Sequence, residues 1–187
     1  RFRLTSPQTK MEEMPPRARI AAAYGALGAI VAPFLFFVLP RLVEAMNQTG
    51  PEFDFAIGPR LGPPGQREQY GFIFNGHSVE LDRSELYTVD DRDDLLVREP
   101  LVAWFRAVGP AADQAFTFSL VNVRVEPSRG VQERDVLDDV LFAVRDDGRG
   151  EDDVIIAGDL SAAPGELGDL DRMAGVAYAV QNVTTTN

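Results

Sequence analysis

Short apolar runs separated by glycine- and proline-rich breaks dominate the chain from Phe53 onward. Phe53–Ile57, Tyr70–Phe74, Val79–Leu81, Pro100–Ala107, Phe116–Val123 and Val154–Ala157 read as strands. Asn75-Gly76, between the second and third of these, predicts a β-hairpin. Gly58 to Gly65 holds three glycines and three prolines and reads as a loop. Gly109-Pro110 turns the chain, so 100–107 and 116–123 are expected to pair antiparallel. Leu137, Val140, Leu141 and Val144 recur at helical spacing, which predicts an amphipathic helix over Val131–Val144. The order strand, helix, strand across 116–157 is a crossover unit, so 154–157 should lie beside 116–123 in one sheet. Glu166–Met173 reads as a further short helix. Hairpins mixed with a crossover predict an α+β fold, two sheets facing each other with helices outside.

The first forty residues follow a different pattern. Residues 1–20 are polar and net basic, and Ala21 through Leu39 carries no charge. That run is about as long as a membrane span. Pro33 breaks it, and Tyr24, Gly25 and Gly28 dilute it. The run is therefore expected to be buried inside the fold, with a strand near Leu27–Val31. A membrane-tethered domain is the alternative. A helix is expected to open near Pro40, with Leu42, Val43 and Met46 as its apolar stripe, and to end at Gly50-Pro51.

Composition narrows the chemistry. The 187 residues are 45% hydrophobic and 25% charged, which suits one globular domain. There is no cysteine, so disulfides, thiolate metal sites and cysteine nucleophiles are excluded. The one histidine, His77, beside the Asn75-Gly76 turn, reads as a surface residue. A Ser-His-Asp triad is excluded unless His77 serves, and so is a multi-histidine metal site. Carboxylate, amide and water ligands remain, which suit Mg²⁺ or Ca²⁺. The net charge of −11 argues against a broad basic surface for nucleic acid. The acid-rich stretches Asp90–Asp94 and Glu133–Asp153 read as solvated.

Three strand ends could carry chemistry. Gly158-Asp159 leaves an apolar strand at its C-terminal end, where α/β-type sheets hold catalytic groups; the same pattern also describes an ordinary turn. Arg98-Glu99-Pro100 opens a strand with a glutamate at the sheet end, and equally fits a surface ion pair. Alternation puts Phe116, Phe118, Leu120, Asn122 and Arg124 on one face, which turns polar at its tip. That polar tip suits a site at the sheet rim, or fraying into solvent.

Glu68-Gln69-Tyr70, Leu86-Tyr87-Thr88-Val89-Asp90-Asp91, Arg98-Glu99-Pro100 with Phe105, Leu120-Val121-Asn122-Val123 and Ile155-Ile156-Ala157-Gly158-Asp159 occur in that order. The succession resembles the endonuclease/exonuclease/phosphatase superfamily, in its branch similar to pancreatic-type deoxyribonuclease, over roughly residues 40–187. The resemblance implies a two-sheet sandwich. It also implies Mg²⁺- or Ca²⁺-assisted hydrolysis of a phosphodiester or phosphomonoester, with DNA or another phosphodiester as partner.

Residue by residue, Glu99 matches the family's Arg-Glu-Pro glutamate, which orients a catalytic histidine. Asp159 matches the aspartate of the Gly-Asp-Phe-Asn pattern and is the candidate Mg²⁺ ligand. Ser161 stands where the family has asparagine, and Arg124 where it has histidine. The family's metal-binding glutamate should fall near Leu27–Val31, where no acid occurs. Its asparagine-bearing first strand and its terminal Asp-His pair are not recognisable. The expected organisation is thus one domain over 1–187, incomplete at both ends, with 1–39 divergent. The expected function is that of a degenerate metal-dependent phosphodiesterase, inactive as this chain. The alternative is an active Mg²⁺-dependent endonuclease or phosphatase when full length. Glu99, Arg124, Asp159 and Ser161 are expected to converge at one rim of the sandwich, Arg124 pairing with one or both acids.

Overall fold

A computed structural model of the chain describes residues 28–32, 35–48, 50 and 52–180. Residues 21–27 and 33–34 of the uncharged run lie outside the described residues. One sheet has the order β1–β3–β2, from β1 (Gly28–Ala32), β2 (Phe53–Leu61) and β3 (Glu68–Asn75). The other runs β4–β5–β6–β7, from β4 (Val79–Thr88), β5 (Leu101–Ala107), β6 (Thr117–Arg124) and β7 (Val154–Asp159). β5 and β6 pair antiparallel, and β7 lies parallel to β6, as the hairpin-then-crossover order predicts. Helix α1 (Leu35–Asn47) covers the first sheet. The crossover contains α2 (Gly130–Arg134) and α3 (Leu137–Arg145), and α3 covers the second sheet.

Alternation explains the layers. Ala56, Tyr70, Phe72 and Phe74 face Leu101, Ala103, Phe105, Phe118 and Leu120 across the sandwich. Phe105 is the centre of this core. It stacks on Phe118 at 5.5 Å and meets Phe74 edge-on at 5.4 Å. The opposite faces of β5 and β6 offer Val102, Val121 and Val123 to Leu137, Val140, Leu141 and Val144 of α3. β3 is buried on both faces, because Ile73 packs under Leu35, Leu39 and Val43 of α1. The unbroken apolar run of β3 thus marks a central strand.

Several boundaries differ from those expected. Asn75-Gly76 does not close a hairpin. Gly76 N–H donates to the Glu52 carbonyl at 2.8 Å, and the chain crosses from β3 in one sheet to β4 in the other. β3 has two buried faces and both its edges are taken by β1 and β2, so β4 pairs with β5 instead. β2 extends through Gly58 and Pro59 to Leu61 by a register shift between Ile57 and Arg60, shortening the expected loop. The Val131–Val144 helix is broken in two, between Arg134 and Leu137. Glu166–Met173 forms only a 3-10 turn over Gly168–Arg172.

Helix α1 opens at Leu35, five residues before Pro40. Proline inside a helix removes one hydrogen bond, here to the Phe36 carbonyl. Pro40 and Phe36 both lie on the exposed face, where water can reach that carbonyl, while Leu35, Leu39 and Val43 bury the other face. The expectation that residues 21–39 are buried is therefore corrected in part. Leu35 and Leu39 are buried, but Phe36 and Phe37 are 67% and 70% exposed. No helix among the described residues is long and apolar enough to cross a membrane.

Candidate active-site rim

The C-terminal ends of β6 and β7 and the start of β5 share one edge of the sandwich. Arg124 and Asp159 are partners in the parallel ladder. Leu101 pairs with Asn122, so Glu99, two residues before β5, falls beside Arg124 at the same edge. Glu99 is half-buried and makes no hydrogen bond or ion pair among the described residues. Asp159 is exposed, and its Oδ1 accepts from Ser161 N–H at 3.0 Å and Ser161 Oγ–H at 3.1 Å. Ser161 holds a left-handed backbone with φ of 46°. Glu99, Arg124, Asp159 and Ser161 thus lie at one rim.

Contrary to expectation, Arg124 pairs with neither Glu99 nor Asp159; it pairs with Glu68 at 2.5 Å. The cause lies across the sandwich. Arg124 follows Leu120 and Asn122 on the inward face of β6 and reaches the opposing sheet. Asn122 is buried there, and its Nδ2 donates to the Gly71 carbonyl at 3.2 Å. Arg124 N–H donates to the Tyr70 hydroxyl at 3.1 Å, which sets Glu68, two residues before Tyr70, opposite the guanidinium. Burial, above all, pushes the Tyr70 hydroxyl up to about 12, so it stays protonated. Asp159, on the same face as Arg124, turns back onto Ser161 instead.

Glu68 is shared. Arg98, whose side chain is 2% exposed, places its Nε 2.9 Å from the same Glu68 oxygen. Its Nη1 donates to Glu126 at 3.0 Å and its Nη2 to the Gln66 carbonyl at 3.1 Å. The result is a chain of alternating charge, Arg124–Glu68–Arg98–Glu126. It borders a cleft of about 340 Å³ lined also by Gly65, Gln66 and Arg67. Behind it, Glu133 is 1% exposed and accepts from Val97 N–H at 2.9 Å and Glu126 N–H at 2.7 Å. The acid-rich segment read as solvated therefore contributes a buried carboxylate that ties two rim loops together.

Arg98, which equally fitted a surface ion pair, is instead buried and paired with Glu68 and Glu126, and the sequence pattern does not single out Glu68, Glu126 or Glu133. Glu68 and Arg98 belong to the ordered family-like motifs, and both are charged residues at strand starts, the signal available for them. Glu126 and Glu133 gave none, because only the fold brings their partners near.

The hydrogen bond from Arg98, foremost, holds the Glu126 carboxyl below its ordinary value of 4.5. A lowered carboxyl contributes stability above its ordinary value and loses it as pH falls through the lowered one. The stability difference between the parent and Glu126→Gln should therefore be constant at neutral pH and shrink in acid, below that ordinary value. Urea denaturation over a pH series measures it, and a difference that stays flat into acid would contradict the assignment.

Comparison with known proteins agrees with this architecture. No family model matches the chain. Deoxyribonuclease gamma of Rattus norvegicus is 32% identical over 130 residues, covering 67% of this chain and 41% of that protein. Deoxyribonuclease-1-like 1 of Bos taurus is 31% identical over 127 residues, covering 66% of this chain and 38% of that protein. The chain therefore spans about two-fifths of the length of these relatives. The structure of the human Nocturnin catalytic domain superposes with a TM-score of 0.52 at 12% identity, over 80% of this chain and 56% of that one. The chain belongs to the deoxyribonuclease-I-like branch of the endonuclease/exonuclease/phosphatase superfamily. A second member, ANGEL2, a 2',3'-cyclic phosphatase, superposes with a TM-score of 0.51 at 14% identity, over 80% of this chain and 43% of that one. The shared fold is the two-sheet sandwich, in a superfamily of nucleases and phosphoesterases.

For a deoxyribonuclease-like rim, the question is whether these residues suit a divalent cation. They do not. Ca²⁺ takes about six to eight oxygen ligands, and Mg²⁺ about six, of which one or two are carboxylates and several are waters. Glu68 and Glu126 are spent on Arg98 and Arg124. Asp159 offers one exposed carboxylate, half of it engaged by Ser161. Among the described residues, the one trio of carboxylates close enough to share a cation is Glu151, Asp152 and Asp153. That trio precedes β7, at the opposite end of the strand from Asp159. Glu151 there accepts from Trp104 Nε1–H at 3.3 Å and Asp153 N–H at 2.9 Å.

Proposed function

We propose that this chain is a non-hydrolysing member of its nuclease and phosphoesterase family, keeping the sandwich for binding rather than for cleavage. The observation that carries the reading is Arg124, in register with Asp159 and ion-paired to Glu68 at the rim. In-line attack on a phosphodiester needs a positioned water, a group to take its proton, and cations to stabilise the developing charge. A guanidinium takes no proton near neutral pH. Asp159 is the candidate base or Mg²⁺ ligand, and Glu99 is the one other rim acid that makes no hydrogen bond or ion pair among the described residues. Each missing electrostatic or acid–base group typically costs roughly 10²–10⁴-fold in rate. Such losses are not additive, and together they bring the remainder near background.

DNA is the substrate class its relatives' names suggest. Duplex binding by a broad basic surface is disfavoured by the net charge of −11. The test is nicking of supercoiled plasmid with Mg²⁺, Mn²⁺ or Ca²⁺. No nicking above background is expected. Metal-dependent nicking that disappears in Asp159→Ala would overturn the reading. It would establish the alternative, a working Mg²⁺-dependent site built on Asp159 and Glu99.

A further inference from the structure

The cleft beside Arg124 is lined by three guanidiniums, of Arg67, Arg98 and Arg124, against two carboxylates, of Glu68 and Glu126. This positive excess stands out in a chain of net charge −11. We propose that this cleft binds the phosphate group of a small phosphomonoester through Arg124 and Arg67 without a divalent cation. The proposal rests on the non-hydrolysing reading above and names the ligand class of the same rim.

The donors decide which ligand fits. Arg98 is committed, with one nitrogen each toward Glu68, Glu126 and the Gln66 carbonyl, and it forms the buried positive floor. Arg124 spends only Nη1, on Glu68; among the described residues its Nε and Nη2 donate to nothing. Those two nitrogens form the side edge of the guanidinium, the edge that grips two oxygens of a phosphate or carboxylate in parallel. Arg67 is exposed and pairs with no described carboxylate. Two partly unspent guanidiniums at one cleft repel a metal ion and attract an oxyanion. A tetrahedral phosphate can take both at once, whereas a carboxylate presents only two oxygens. Glu68 need not be displaced, since it holds the other end of Arg124. It keeps that side chain in place, so little rotamer freedom is lost on binding. The volume of about 340 Å³ lies at the low end of small-molecule pockets, which suits a mononucleotide or smaller molecule and not a duplex.

The experiment is titration calorimetry of the full chain in excess EDTA. The probes are inorganic phosphate, thymidine 5'-monophosphate, and thymidine as the phosphate-free control. Both phosphates should bind and thymidine should not, and added Mg²⁺ should not tighten binding. If thymidine 5'-monophosphate binds more tightly than inorganic phosphate, the cleft takes a nucleotide; equal affinities mean it reads the phosphate alone. Either result supports the phosphate site. Arg124→Gln and Arg67→Gln should each weaken binding roughly tenfold, the loss of one charge-assisted contact. Arg172→Gln, a change at an exposed arginine paired with Asp169, should leave it unchanged. Thermal melting checks each variant, and should Arg124→Gln fail to fold, Arg67→Gln carries the test on an exposed side chain. No binding in EDTA, a requirement for Mg²⁺, or affinity unchanged in the folded variants would overturn the proposal. Absence of phosphate binding would leave the non-hydrolysing reading standing. Metal-dependent nicking abolished by Asp159→Ala would remove that reading instead, so the two failures are distinguishable.

Discussion

Arg98→Ala should lower folding stability by about 3–5 kcal/mol, the usual cost of removing one partner from a buried ion pair. The Arg98 side chain is 2% exposed and joins two separate pieces of chain: the stretch 66–68, through the Gln66 carbonyl and Glu68, and Glu126 after β6. Removing the guanidinium leaves two carboxylates facing each other across a half-buried cleft, and a carbonyl without its donor. The surface pair Arg83–Asp54, at 2.7 Å with both side chains more than half exposed, is the comparison. Its loss through Arg83→Ala should cost only about 0.2–1 kcal/mol, because water screens the charges and takes their place. Urea denaturation followed by circular dichroism measures both. A loss below about 1 kcal/mol in Arg98→Ala would mean that the alternating charges do not hold the rim together. A double-mutant cycle with Glu126→Gln would then report how much of the effect passes through that pair.

Gly158→Ala should cost more than about 4 kcal/mol, a size reserved for strain or clash at a special backbone position. Gly158 has φ of 140°, and a Cβ built there would lie 1.9 Å from the Val123 carbonyl oxygen. That oxygen belongs to β6, the strand to which β7 is paired, so neither side can yield without opening the ladder. The damage should be local first. Val125 N–H donates to the Asp159 carbonyl at 2.8 Å, and its hydrogen exchange should accelerate in the variant. Gly148→Ala is the control, since Gly148 also has a positive φ, of 93°, but nothing within 4 Å of its would-be Cβ. It should show only the backbone cost of about 1–3 kcal/mol. Equal losses in the two variants would refute the close approach of β7 to β6.

The rim combines these two features. Gly158 lets the chain end β7 tight against β6, which delivers Asp159 beside Arg124. The charged chain through Arg98 then fixes the opposing sheet at the same edge. Of the rim carboxylates, Glu68 and Glu126 face guanidiniums, whereas Glu99 and Asp159 make no ion pair among the described residues.

The sequence by itself determined most of the strands. Alternation in Phe116–Arg124 correctly placed Phe116, Phe118 and Leu120 in the core and Arg124 at the strand tip, because side-chain direction along a strand is a local property of period two. It also determined the crossover from β6 to β7, since parallel neighbours require an intervening helical connection. Its ordered motifs pointed to the sandwich of the deoxyribonuclease-like family.

Only the tertiary structure decided which elements meet. Asn75-Gly76 specifies a reversal of the chain, but the partner of β4 depends on which strand edges remain open. Pro40 marks a helix start only where nothing stronger competes; the buried stripe of Leu35, Leu39 and Val43 carried the helix through it. Glu133 carries the pattern of a solvated helix acid, and it became buried because the backbone N–H groups of Val97 and Glu126 converge on it. Arg124 reaches Glu68 across the sandwich, 56 residues apart in sequence, because Tyr70 fixes the two sheets against each other. A side chain's periodicity is set by its neighbours in the chain, whereas the neutralisation of its charge is set by whichever group the packing brings within a few ångströms.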